Sequence, residues 1–425
     1  MYKPFIVFLM VSIWLNKPVL AQSNPDQIFD HAIHTVLVHP IGNPTGIPVI
    51  GLNEGSPLLI SFDDFKASYQ NYYYSIELMN ENWESVPLSP FDYTRGFSQN
   101  KITNFSISSI AIQPYYHYEL SLPNENCRPT KSGNYIIKVF KDGNLNELVF
   151  TSRFYVTEGT ANVFATVQEP FDGAISQTHQ KVQVNVDVKK INYFQPGSLI
   201  IQVIQNTRYQ DAIKVKEPSF IRGNNVEYNS ERDLIFPAGK EFRWLDLQSL
   251  RLQTDRIFKF ENADQGTKVI LKPDLSRANT AYYTFKDLNG SFVISNTESL
   301  QSENQNDYAM VQFTYIPKDG IPYMGETLYL SGALTGNNLN KESAMQFNAK
   351  KGLYEKSLLL KQGYYSYQYI LRNQNTPQPM QDFMETEGDH WETENNYTIL
   401  VYYTQAGAQY PSLVGFSTIN SKQQW

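Results

Sequence analysis

Residues Gly352–Leu371, GLYEKSLLLKQGYYSYQYIL, and Gly388–Thr404, GDHWETENNYTILVYYT, carry the clearest structural signal in the chain. Leu358–Leu360 and Tyr364–Leu371 are runs of β-forming residues on either side of Lys361-Gln362-Gly363, a pattern that predicts a hairpin. Tyr397–Tyr403 predicts another strand of the same sheet. Between the runs, EGDHWETENN at 387–396 forms a polar corner around one large aromatic, Trp391.

His390, next to Asp389, Glu392 and Glu394, invites a metal or acid/base reading. Such sites need several ligands at fixed spacing, yet the preceding histidine is His179 and none follows His390, so the usual multi-His set is missing. The residues read better as packing: Trp391 anchors the end of a sandwich, and its acidic neighbours are solvated or bonded to the turn.

The whole chain is patterned the same way. It has 425 residues, enough for about three domains of ordinary size. Tyr, at 29 residues, outnumbers Phe and Trp, and no long stretch has helical periodicity, as expected of antiparallel sheets with one wet face. Leu58, Ile60 and Phe62 alternate onto one face, as do Tyr74, Ile76 and Leu78, and further strands are predicted at 102–107, 117–122, 135–141 and 149–157. That spacing predicts an immunoglobulin-like or fibronectin-like sandwich over 22–158, with Trp83 packed at a hairpin end. Val182, Val184, Val186 and Val188 alternate with polar residues and lead a second sandwich over 159–305, with candidate strands at 199–204, 241–245, 257–261, 282–285 and 291–295. The polar run 298–306 predicts a linker into a third sandwich over 306–425, where Val311, Phe313 and Tyr315 share a face.

Residues 1–21 differ from the rest. Lys3, the apolar run Phe5–Leu15 and Val19-Leu20-Ala21 predict a secretory signal peptide cleaved before Gln22, since the run is too short to span a bilayer. No cysteine follows it in lipoprotein position. Cleavage leaves 33 Lys and Arg against 42 Asp and Glu, a formal charge of −9, which disfavours nucleic acid as a partner. Cys127 is the only cysteine, so no internal disulfide forms and no matched His makes it a nucleophile. His31, His34 and His39 lie in one strand-like run and predict a plain edge strand rather than a metal site. No phosphate cradle or catalytic triad can be assembled, so the sequence predicts a non-enzyme without cofactor, metal or small-molecule substrate.

Two resemblances sharpen this reading. Residues 328–371, LYLSGALTGNNLNKESAMQFNAKKGLYEKSLLLKQGYYSYQYIL, resemble the glycogen-binding early-set sandwiches, although Gly336-Asn337-Asn338 lacks the Trp their sugar sites use. The stretches YSIELMNENWESVPLSPFDYTRG (74–96), LSLPNENCRPTKSGNYIIKVF (120–140), SRFYVTE (152–158), HWETENNYTILVYY (390–403) and LVGFSTINS (413–421) resemble the plug-protein family of the type IX secretion system. That resemblance implies a periplasmic protein of Bacteroidetes-type bacteria. Its partner would be the outer-membrane translocon barrel, which it would close when no client or carrier is engaged, and no catalytic residues come with it. The rival expectations are a non-catalytic glycan-binding module and the sensor segment of a regulator.

Overall fold

The computed structural model describes residues 24–52, 56–66, 68–109, 111–191, 197–263, 266–297, 305–373 and 382–422. The expected signal peptide and most of the 298–306 linker lie outside them.

Nearly all regular structure is strand, arranged as sheets packed face to face. In the first sandwich, one sheet runs Gln27–Ile28, Leu148–Thr157, Gly133–Lys141, Tyr72–Met79, Asn100–Lys101, with Val49–Gly51 parallel to Leu148–Thr157. The other runs Ile33–Pro40, Leu58–Asp64, Tyr116–Leu122, Asn104–Ile107. Their inward residues are those the alternation selects: Leu58, Ile60, Phe62, Ile76 and Leu78 are buried in one core. Phe62 stacks on Tyr118 with centroids 5.1 Å apart.

Leu148–Thr157 ends this sandwich and Asn162–Gln168 opens the next. In the middle sandwich, Asn162–Gln168, His179–Asp187, Asn225–Tyr228 and Phe220–Arg222 form one sheet, with Ile235–Pro237 also on His179–Asp187. The facing sheet corrects the expected boundaries. Its order is Ile213–Val215, Leu199–Gln205, Asn396–Tyr403, Ser412–Asn420, so Tyr397–Tyr403 belongs here and not with the strands of 352–371. The reason is burial on both faces of this sheet. Tyr397, Ile399 and Val401 fill the middle core, while Leu400 and Tyr402 turn the other way and pack against Tyr155 of the first sandwich.

The third sandwich is therefore inserted into the second. It begins with Arg243–Asp246, and the strands expected for the middle unit at 241–245, 257–261 and 291–295 are its own, while 282–285 runs without a strand partner. Gly266–Leu271 pairs in parallel with Tyr308–Ile316, so a single sheet crosses residue 306, where a boundary was expected. The order of that sheet is Ile257–Ala263, Gly266–Leu271, Tyr308–Ile316, Leu353–Lys361, Gln346–Asn348.

The hairpin expected at Lys361-Gln362-Gly363 is also replaced. Leu353–Lys361 pairs with Tyr308–Ile316, whereas Gly363–Asn373 pairs with Arg243–Asp246, Phe292–Ile294 and Glu326–Ser331 in the opposite sheet. The chain turns a sandwich corner there. A side chain at 363 would bring its Cβ within 2.4 Å of the Val293 carbonyl oxygen, so the corner closes only on glycine.

Candidate functional site

The polar corner at 387–396 is a joint between sandwiches. The His390 ring stacks flat on Tyr282 at 4.1 Å, and its backbone N–H donates to the Gly239 carbonyl at 2.9 Å. Asp389 Oδ1 accepts from the Gly239 N–H at 2.7 Å, so this carboxylate holds the passage between the middle and third sandwiches and not its own turn. Trp391 lies against the middle sandwich, where Gln180 Nε2 donates to its carbonyl at 2.6 Å. Burial raises the Asp389 carboxyl to about 6 and that of Asp287, which accepts from the Phe242 N–H at 2.5 Å, to about 7.

The first residue of this corner centres an ion cluster of the third sandwich. Glu387, fully buried, accepts from Arg243 Nε at 3.0 Å, from Arg277 Nε at 2.7 Å and from the Tyr369 N–H at 2.9 Å. Burial alone would raise its carboxyl; the two guanidiniums outweigh it and hold it at about 2. Arg243 also donates to Asp274 Oδ1 at 2.8 Å, and the Tyr367 and Tyr369 hydroxyls both donate to Asp274 Oδ2 at 2.9 Å.

A second joint ties the first sandwich to the third. Lys361 Nζ, at the corner described above, donates to Asp63 Oδ2 at 2.6 Å; both side chains are 1% exposed. Tyr308 donates a short hydrogen bond to the same oxygen, and His117 Nδ1 donates to Asp63 Oδ1 at 2.6 Å. Burial pushes the Asp63 carboxyl up, but Lys361 and His117 bring it below the usual carboxylate range. His117 also faces Glu119 at 3.0 Å, and these two acids raise its imidazole against its burial.

The third joint ties the first sandwich to the middle one. Arg153 Nε donates to Asp26 Oδ2 at 2.6 Å, and its guanidinium lies 3.8 Å from the Tyr209 ring centroid and 5.2 Å from that of Trp83. Trp83 is thus the packing aromatic expected, but between sandwiches. Tyr402 donates to Asn134 Oδ1 at 2.7 Å across the same joint. All three units meet at Asn338, whose Oδ1 accepts from Asn24 at 2.6 Å and from Gln210 at 2.8 Å. Asn337 donates to Thr207 Oγ1 at 3.1 Å. The turn where an early-set domain would present a sugar-stacking Trp is used here to join the units.

The other sequence candidates are dispersed. His34 packs on Phe65 at 4.2 Å, His39 bonds the Pro40 carbonyl and His31 is exposed. Cys127 is buried, and burial raises its thiol to about 12, far from a reactive thiolate. Among the described residues no three His, Cys, Asp or Glu side chains are grouped to hold a metal ion, and no helix is long and apolar enough to cross a membrane. A groove of about 650 Å³ on the first sandwich is lined by Tyr74, Phe97, Asn100, Asn104, Glu119 and Asn126 among others. Sequence reading missed Asp63, Lys361, Arg243 and Glu387. For Asp63 and Lys361 the only signal was charge closing an apolar β run, LLISFDD and SLLLK, while Glu387 stood in the polar corner with nothing to mark it as buried.

Fold and joints together define a multi-sandwich β protein whose units are tied to one another by buried polar contacts. Residues 33–158 match the family described as type 9 secretion system plug protein 1st domain. A crystal structure of a hypothetical protein from Parabacteroides merdae ATCC 43184 is similar over 93% of this chain and 98% of its own, at 31% identity and a TM-score of 0.89. Comparison with curated proteins finds no match. The chain belongs to the type IX secretion system plug protein family, which ties it to that envelope secretion machinery.

Proposed function

We propose that this protein is a non-catalytic periplasmic plug. It occludes the periplasmic opening of the type IX outer-membrane translocon barrel when the barrel carries no client or carrier. The observation that most supports this is the joining of three sandwiches by desolvated ion pairs and stacked cations, with Asp63–Lys361 at the centre. A stopper for a wide pore must not deform, and buried charge pairs tolerate one geometry only. Reversible seating also calls for a moderately polar contact rather than a large apolar one, which fits an acidic body carrying scattered exposed aromatics.

The test is entry of a large antibiotic normally excluded by the outer membrane. Deletion of the protein should sensitise cells while export continues, and removing the barrel as well should abolish the sensitivity. Unchanged permeability on deletion, or sensitivity that persists without the barrel, rejects occlusion.

A further inference from the structure

On the first sandwich, Thr94–Gly96 and Cys127–Pro129 form a two-stranded ribbon outside both main sheets. Its register places Arg95 directly opposite Arg128. Cys127 and Pro129 face inward and are buried, so the alternation of the strand directs both arginines outward, where both are exposed. Like charges in directly opposed positions repel, at Cβ separations of about 5 Å. Among the described residues neither guanidinium has an ion-pair partner, in a chain of net charge −7. Phe97, two residues beyond Arg95 and of the same strand parity, is 66% exposed and borders the 650 Å³ groove.

The ribbon is rigid. The Phe97 N–H donates to the Asn126 carbonyl and the Thr130 N–H to that of Tyr93, both at 2.9 Å, while Asn124 Oδ1 accepts from the Asn126 and Cys127 N–H groups at 3.0 Å. Gly96 has φ +109°, and a Cβ there would come within 2.1 Å of the Asn126 carbonyl oxygen. An uncompensated Arg pair beside an exposed aromatic, held in fixed geometry, has the composition of an interface centre awaiting carboxylates.

We propose that this ribbon docks an acidic, extended protein segment of the translocon, with Arg95 and Arg128 pairing its carboxylates and Phe97 covering an adjacent apolar residue. This rests on the plug reading and names the face that makes the contact. An anionic lipid surface would also attract arginines. However, the attraction of two cations to such a surface is set against the repulsion of the acidic body, which favours the protein partner.

The experiment measures binding of the purified full chain to the detergent-solubilised barrel at low and physiological salt. Wild type is compared with R95E/R128E, R95Q/R128Q and F97S, with thermal unfolding as the folding control and phosphatidylglycerol-containing vesicles as a second surface. We expect R95E/R128E to weaken Kd at least 100-fold, the Gln pair and F97S about tenfold, and the wild-type affinity to fall with salt, all without change in thermal midpoint. Wild-type binding with both Arg variants within twofold overturns the ribbon and leaves the plug reading intact. No wild-type binding rejects both. Vesicle capture that needs the arginines, with barrel binding indifferent to them, assigns the ribbon to the membrane instead.

Discussion

Asp63 and Lys361, 298 residues apart in sequence, meet at 2.6 Å in a pocket closed to water, and Lys361 is the main compensation for the burial of Asp63. Lys361→Met should strand the Asp63 carboxylate with only His117 and Tyr308, costing about 3–5 kcal/mol in denaturant unfolding. The double variant Asp63→Leu/Lys361→Met should lose clearly less than the sum of the two single changes. Additive losses would show that the two groups stabilise independently.

The passage at 238–242 gives the molecule a pH dependence of definite sign. Asp389 (about 6) and Asp287 (about 7) are raised above 3.8 by burial, so the folded chain holds their protons more tightly than the unfolded chain. Their contribution is full below about pH 4 and is lost as pH rises to about 7, on the order of 3 kcal/mol for Asp389. Glu387 works oppositely: its stabilisation is present above about 4.5 and lost as pH falls towards 2. Unfolding free energies measured from pH 5 to 8 should decline, and Asp389→Asn, which keeps an acceptor for the Gly239 N–H, should flatten the slope. An unchanged slope would remove Asp389 from the account.

Arg153→Ala should remove the Asp26 pairing and the stack on Tyr209 and Trp83, costing about 1–3 kcal/mol. Because the loss falls at the joint, limited proteolysis should begin at 158–161, between the first two sandwiches. Cleavage confined to distant loops would mean that the joint survives without the cation.

Glycogen should not retard the protein in a native gel, because Asn337 and Asn338 are engaged by Thr207, Asn24 and Gln210. Retardation abolished by Tyr364→Ala would restore a glycan-binding role.

Sequence alone revealed many of the strands, because alternation such as that of Val182, Val184 and Val186 is a local property of a half-buried strand, but it also expected one at 282–285 that does not form and passed over Gly266–Leu271. It did not reveal partners. Tyr397–Tyr403 is buried on both faces, so it has no polar side to set a register, and its neighbour Leu199–Gln205 lies almost two hundred residues away. The corner at Gly363 looked like a hairpin because a hairpin and a change of sheet use the same turn residues. The joints were illegible for a related reason: Arg243 and Glu387 read as surface charges until packing brings them together.

The insertion of one sandwich into another also constrains the order of assembly. Leu199–Gln205, LIIQVIQ, is buried along its whole length, and its partner on one side is Asn396–Tyr403. A chain emerging N-terminus first must therefore carry this greasy strand with an unsatisfied edge while some 190 further residues arrive. Nascent or truncated forms that stop short of residue 396 are the species in which a holdase chaperone would find its binding site.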